Sequence, residues 1–228
     1  MSMKDVLFVE ARYKRKTCFK AAWVRRLPKR IGLAATLQFI GICREVKALL
    51  KANGREVSLI RGSKSCHDCQ VLGCDLVMPT PEADAILFIG DGEFHAMAIA
   101  LKSRCDVDVY VFNPVSARFF CYDKARLDRV KRRRRGAIMR FLSSKRLGVL
   151  VSTKPGQCRL KDALKLKSMF PDKDFFILLS DTIDFSELQN FTFTDCFVNT
   201  ACPRITTDDR ALLPRAVVDY DDISMKTA

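Results

Sequence analysis

Asp84-Ala85-Ile86-Leu87-Phe88-Ile89-Gly90-Asp91-Gly92-Glu93-Phe94-His95 is the stretch on which the fold turns. Ala85–Ile89 is apolar at every position, and a strand with no polar face has to be covered on both sides. A glycine turn follows at once, and Phe94–Leu101 then carries a helical pattern. The same order recurs in both directions along the chain. Upstream, Ile31–Thr36 reads as a strand, and Ile40–Ala52 as a helix stopped by Asn53-Gly54. Val57–Ile60 is a strand leading into a polar loop with Cys66, Cys69 and Cys74. Downstream, Val107–Phe112 is a strand, and Leu127–Leu142 is a long basic helix. Strand Leu147–Ser152, a loop at Pro155-Gly156-Gln157, helix Leu160–Met169 and strand Phe175–Leu179 follow. A turn or helix at Asp184–Leu188 leads to a last strand at Cys196–Val198. Strands alternating with helices predict an α/β fold of two successive lobes, each a small parallel sheet flanked by helices. The boundaries fall at 28–126 and 127–228, after a short strand Val6–Glu10 and a basic, irregular connector that fill 1–27.

The chain has 228 residues, 48% of them hydrophobic, with a net charge of +14 and ten cysteines. That length suits two lobes of about 100 residues each. The cysteines are irregularly spaced in a chain too long for a small disulfide-stapled domain, so a reducing, cytoplasmic setting is expected. No signal peptide pattern opens the sequence, and no apolar run approaches the roughly 18 residues that a membrane span needs. The charge points to anionic partners. It is concentrated in Lys14-Arg15-Lys16, Arg25-Arg26, Lys29-Arg30 and the block Lys131–Arg135. Such a block is ordinarily a solvated helix face. Contact with nucleic acid is the secondary reading, without the interleaved aromatics of a stacking platform.

In parallel sheets, ligands gather beyond the carboxyl ends of the strands. Cys74, Gly90-Asp91-Gly92, Thr153–Gln157 and Cys202 all fall there. Cys74 and Cys202 each follow a short apolar stretch with a small residue just before the thiol, the way a loop presents a ligand. Cys66-x2-Cys69, with His67 between, is a zinc half-site by spacing, but no second pair follows it. Cys43, Cys105, Cys121 and Cys158 read as small core residues. Neither a G-x-G-x-x-G fingerprint nor a Walker loop occurs, which disfavours ordinary dinucleotide or ATP binding. His95 is open as a polar site residue or a packing histidine.

Five segments together resemble the diphthamide synthase family, the archaeal type of enzyme for the first step of diphthamide formation. They are Ile31–Gln38, Gln70–Asp75, Asp84–His95, Gly148–Gln157 and Val198–Arg204, with Asp208 and Asp209 just beyond. The resemblance implies three similar lobes, each giving one cysteine to a 4Fe–4S cluster. It implies S-adenosylmethionine as co-substrate, cleaved to a 3-amino-3-carboxypropyl radical. That group is transferred to a histidine of translation elongation factor 2. Carried residue by residue, Cys74 and Cys202 become cluster ligands. Thr36, Gln38, Gly90, Asp91, His95, Gln157, Arg204 and Asp209 become candidates for lining the cofactor pocket. Arg204 suits a substrate carboxylate, with a structural ion pair as its other reading.

The resemblance also implies a first lobe with its own cysteine, of which Val6–Glu10 would be a remnant strand. Three explanations stand side by side. A separate first-lobe polypeptide completes the site within a homo- or hetero-oligomer. Alternatively Cys66, Cys69 or Cys18 supplies the third thiolate. In the last, the chain is a non-catalytic partner subunit, a degenerate paralogue or a truncated product.

Overall fold

The computed structural model describes residues 9–63, 65–73, 82–102 and 107–224. They form two units, Met1–Leu127 and Asp128–Ala228. The first contains strands β1 (Arg30–Ala35), β2 (Glu56–Leu59), β3 (Ala85–Ile89), β4 (Asp108–Asn113) and β5 (Arg118–Cys121) in the order β2-β1-β3-β4-β5. Central β3 is buried at every residue, as its unbroken apolar run requires. Beside it, β1 is buried everywhere except Arg30. Edge strand β2 is more polar and nowhere fully buried. The first four strands are parallel. Here the structure departs from the expected all-parallel sheet, because β5 runs antiparallel beside β4. A strand of four residues gains its stability from its partner, so its own sequence pattern is weak.

Helix α1 (Ala21–Val24) lies within the stretch read as an irregular connector. Phe19, Val24 and Leu27 enter the hydrophobic core of the first unit. Trp23 stacks on Phe119 of β5, and Phe19 meets Phe112 of β4 edge-on. Of the expected strand Val6–Glu10, residues 6–8 lie outside the described residues, and Val9 and Glu10 are not in a strand. Helix α2 (Ile40–Ala52) buries Ile42, Cys43, Val46 and Leu50 on one face. It ends as its sequence requires. Gly54 takes a φ of +73°, which lets backbone amides of residues 53–55 bond the last carbonyls of the helix. Helix α3 (Glu93–Lys102) follows β3.

The second unit has a four-stranded parallel sheet. Its strands are β6 (Arg146–Ser152), β7 (Asp174–Ser180), β8 (Cys196–Asn199) and β9 (Val217–Asp219), in the order β7-β6-β8-β9. Residues of helix α4 (Lys124–Ser143) pack on one face, where Ala137 and Phe141 meet Leu147, Val149 and Val151 of β6. Helix α5 (Leu160–Met169) adds Ala163 and Leu166 to the same cluster. Leu150, Phe197 and Leu188 form the core on the other face. The fold is therefore α/β, with two small sheets flanked by helices. The run Lys131–Arg135 is not wholly a solvated face. Arg134 lies on the inward side with Ala137 and Phe141, and its guanidinium pairs with Asp222 of helix α7 (Tyr220–Ser224).

Gly148 of β6 is fixed by sterics. A Cβ there would stand 2.6 Å from the Phe197 ring and 3.2 Å from Leu178. Phe197 is fully buried and cannot swing aside. Gly148→Ala is therefore expected to cost about 2 kcal/mol through overpacking, read as a lowered urea midpoint for the second unit. An unchanged midpoint would show that the β6–β8 contact relaxes freely.

Candidate functional site

At the carboxyl end of the first sheet, the cysteine loop is built onto β1. Ala35 N–H donates to Cys69 O at 2.7 Å, and Val71 N–H donates to Ala35 O at 3.0 Å. Gln70 is buried, and its side-chain oxygen accepts from the backbone amides of Cys66 and His67, each at 3.0 Å. This caps the Cys66 turn from within. Cys69 adopts a φ of +59° and turns into the core, where its sulfur meets that of Cys43. Their Cα atoms are 7.3 Å apart, wider than a disulfide ordinarily spans. Cys66 is exposed, and exposed Cys18 lies by Pro114 O after β4.

The small residue before Cys74 has a physical reason. A Cβ on Gly73 would run into the Phe94 ring at the start of α3. Cys74 itself lies outside the described residues, as does Cys105. His67 bonds Glu10 at 2.5 Å, Arg12 Nε donates to the same carboxylate at 2.9 Å, and these two bonds hold Glu10 below the usual carboxylate range. Among the described residues, no group of three or more His, Cys, Asp or Glu side chains is placed to hold a metal.

Thr36, Gln38, Gly90 and Asp91 gather where β1 and β3 end. Gln38 Nε2 donates to Asp91 Oδ2 at 3.0 Å, and Thr36 N–H donates to Ile89 O. The Thr36 hydroxyl is buried with no partner among the described residues. Asn113, which the sequence did not single out, ends β4 and donates to Asp91 O at 3.1 Å. Its Oδ1 accepts from the amides of Val115 and Ser116, the turn chemistry for which asparagine at a strand end is a signal. His95 is packed against rings, stacked on Phe88 and edge-on to Phe94. The result is an exposed amide–carboxylate pair beside a buried hydroxyl, a polar corner suited to amino and carboxyl groups.

The second unit repeats the arrangement at the ends of β6 and β8. Thr153 Oγ1 bonds Asp181, and the loop closes through Gln157 N–H to Lys154 O. Gly156 takes a φ of +79°, a backbone state that favours glycine. Cys202 is half-exposed in the loop after β8. Buried Asn199 shapes that loop. Its Oδ1 accepts from Ala201 N–H, while Nδ2 donates both to Cys202 O (3.0 Å) and to Asp219 Oδ1 (2.8 Å). Asp219 Oδ2 in turn accepts from Thr206 Oγ1 at 2.6 Å, on helix α6 (Arg204–Thr207). Asn199 and Asp219 are direct neighbours in the β8–β9 register, a pairing hidden from the sequence because β9 has only three residues.

Arg204 Nε donates to Asp208 at 2.7 Å, and Asp209 N–H bonds Arg204 O. This ion pair holds the guanidinium above its ordinary pKa. Burial pushes the Cys196 thiol up to about 11, and its Sγ lies 3.2 Å from Ala216 O, so Cys196 stays protonated in the core. Cys202, half-exposed in its loop, is reachable from solvent where Cys196 is not.

The sequence matches the family model for diphthamide synthesis proteins over residues 1–225. It is 31% identical over 205 residues to 2-(3-amino-3-carboxypropyl)histidine synthase of Pyrococcus horikoshii, covering 89% of this chain and 58% of that protein. Subunit 1 of the synthase of Homo sapiens is 26% identical over 190 residues, covering 82% of this chain and 42% of the human one. The crystal structure of Dph2 from Pyrococcus horikoshii with a 4Fe–4S cluster superposes with a TM-score of 0.77 at 28% identity. That match covers 90% of this chain and 59% of the other. The chain thus spans about two-fifths to three-fifths of the length of these relatives.

Proposed function

The chain belongs to the diphthamide synthesis protein family, and from that premise we propose that it serves the first step of diphthamide formation. The reaction is transfer of the 3-amino-3-carboxypropyl group of S-adenosylmethionine to a histidine of translation elongation factor 2. Cys74 and Cys202 would hold a 4Fe–4S cluster as thiolates. When bound and reduced, that cluster supplies the electron that breaks the sulfonium bond of the co-substrate. The observation that carries this reading is Cys202, a half-exposed thiol held at the carboxyl end of β8 within a family whose solved relative contains such a cluster. Thr36, Gln38, Gly90 and Asp91 would meet polar groups of the co-substrate at the end of the first sheet. His95, Gln157, Arg204 and Asp209 remain pocket candidates on the same grounds. Arg204, ion-paired with Asp208, is the pocket candidate suited by its charge to a substrate carboxylate.

A second reading is favoured by relatives named as subunit 1 of the synthase: the chain acts with another polypeptide or a second copy, as a part of the enzyme or as its non-catalytic partner. The expected setting is reducing, and no helix among the described residues is long and apolar enough to cross a membrane. One experiment addresses both readings. The chain is purified anaerobically, assayed for iron and sulfide, and incubated with reductant, elongation factor 2 and S-adenosylmethionine labelled in its carboxypropyl group. Iron, a reduced-cluster EPR signal and label on histidine are the expected results. Iron without transfer, restored by a partner polypeptide, is the outcome of the second reading. Absence of both iron and transfer would overturn the proposal.

A further inference from the structure

We propose that Asn199 is a positioning residue that sets the Cys202 loop for iron ligation, with Asp219 holding its carboxamide. The inference rests on the reading of Cys202 as a cluster ligand. It adds the device that aims that ligand.

A carboxamide has two N–H donors, and here they diverge, one to the carbonyl of the cysteine itself and one to a carboxylate on the neighbouring strand. The carboxamide oxygen takes the amide of Ala201, the residue just before the cysteine. One buried side chain thus holds both sides of the two-residue step between strand end and thiol. Asn199 cannot rotate without breaking all three bonds. Asp219 fixes its orientation, because a carboxylate accepts only from the Nδ2 side of an amide. Asp219 is itself held by Thr206 from the helix that begins two residues after Cys202. Strand β8, the cysteine loop, α6 and β9 are joined at this one point.

An aspartate at 199 would keep the Ala201 contact but would lose the donor to Cys202 O and face Asp219 as a like charge. Exchanging the two residues, N199D/D219N, restores a bond between the strands, because the amide at 219 can donate to the carboxylate at 199. It does not restore the donor to the Cys202 carbonyl. That pair of variants separates the tie between strands from the aiming of the cysteine.

The test uses the full chain, reconstituted anaerobically with iron and sulfide. The readouts are the rate at which a ferrous chelator removes iron and the EPR spectrum of the reduced cluster. Hydrogen exchange across β8–α6 serves as the control for folding. N199A and N199D/D219N are both expected to release iron roughly tenfold faster than the parent and to show a displaced EPR spectrum, with native protection in β8. Either variant keeping the parent's release rate and spectrum while folded overturns the proposal. Where N199A does not fold, the exchange variant decides. A C202A protein that keeps the parent's cluster removes the ligand reading and this inference with it, an outcome distinct from a normal cluster in N199A beside a lost one in C202A.

Discussion

Cys202→Ala is expected to lower the iron bound after anaerobic reconstitution at least tenfold and to abolish the EPR signal of the reduced cluster, with histidine labelling falling to background. Cys74→Ala is expected to do the same. Thiolates are the ligands that iron–sulfur clusters require, and removing one leaves an iron without its anchor. The internal control is Cys196→Ser. Cys196 is buried, its thiol is pushed up to about 11, and it contacts the carbonyl of Ala216. It has no route to a ligand at the loop. Its replacement should leave iron and signal at parental levels, with any cost appearing as stability. Cys66, Cys69 and Cys18 complete the set. Cys69 turns into the core against Cys43, whereas Cys66 and Cys18 are exposed. Of these three, Cys66→Ala and Cys18→Ala are the variants that can reveal a locally supplied third thiolate. A cluster that survives in Cys202→Ala with unchanged spectrum would sink the ligand assignment.

Much of the fold was legible because it rests on local pattern. Helix α2 runs over the residues its periodicity marks, and its stop at Asn53-Gly54 is a backbone requirement visible in the sequence. Strand β3 declares itself as a central strand by having no polar face. Tertiary partners decided the remaining elements. Strands β5 and β9, of four and three residues, exist because β4 and β8 offer them an edge. Helix α1 forms where Phe19, Val24 and Leu27 find a core.

The site shows the same division. The loop position of Cys202 could be read, but its orientation depends on Asn199 meeting a carboxylate 20 residues away. Cys69 looks equivalent to Cys66 by spacing, yet a positive φ turns it inward. Arg134 was readable in principle. It sits three and seven residues before Ala137 and Phe141, on the buried face of its helix, and its charge is met by Asp222.

Asp219 should give the second unit a stability that falls as pH rises from 4 to 7. Its carboxyl is raised from 3.8 to about 6, with burial the largest cause and the charge of Asp222 adding to it. Hydrogen bonds from Thr206 and Asn199 and the Arg134 charge act the other way without overcoming burial. The sign follows from proton counting. Between the unfolded pKa and the folded one, the folded chain holds a proton that the unfolded chain has lost. Stability from this group is therefore complete below pH 3.8 and is lost as pH rises through about 6. The loss amounts to about 3 kcal/mol. Asp162, Asp184 and Asp195 are held below their ordinary range and contribute in the opposite sense, losing stability as pH falls. A comparison with D219N cancels them. That variant keeps acceptable partners, because the amide oxygen can take the Asn199 donor and Thr206 Oγ1 can turn its proton to Pro203 O, 2.9 Å away. Free energies from hydrogen exchange in β8 and β9 are expected to converge on those of D219N, or fall below them, above pH 7 and to exceed them by the largest margin near pH 4. Parallel pH curves for the two proteins would mean that Asp219 ionises in the fold as it does in water, and that solvent reaches the carboxylate behind the Cys202 loop.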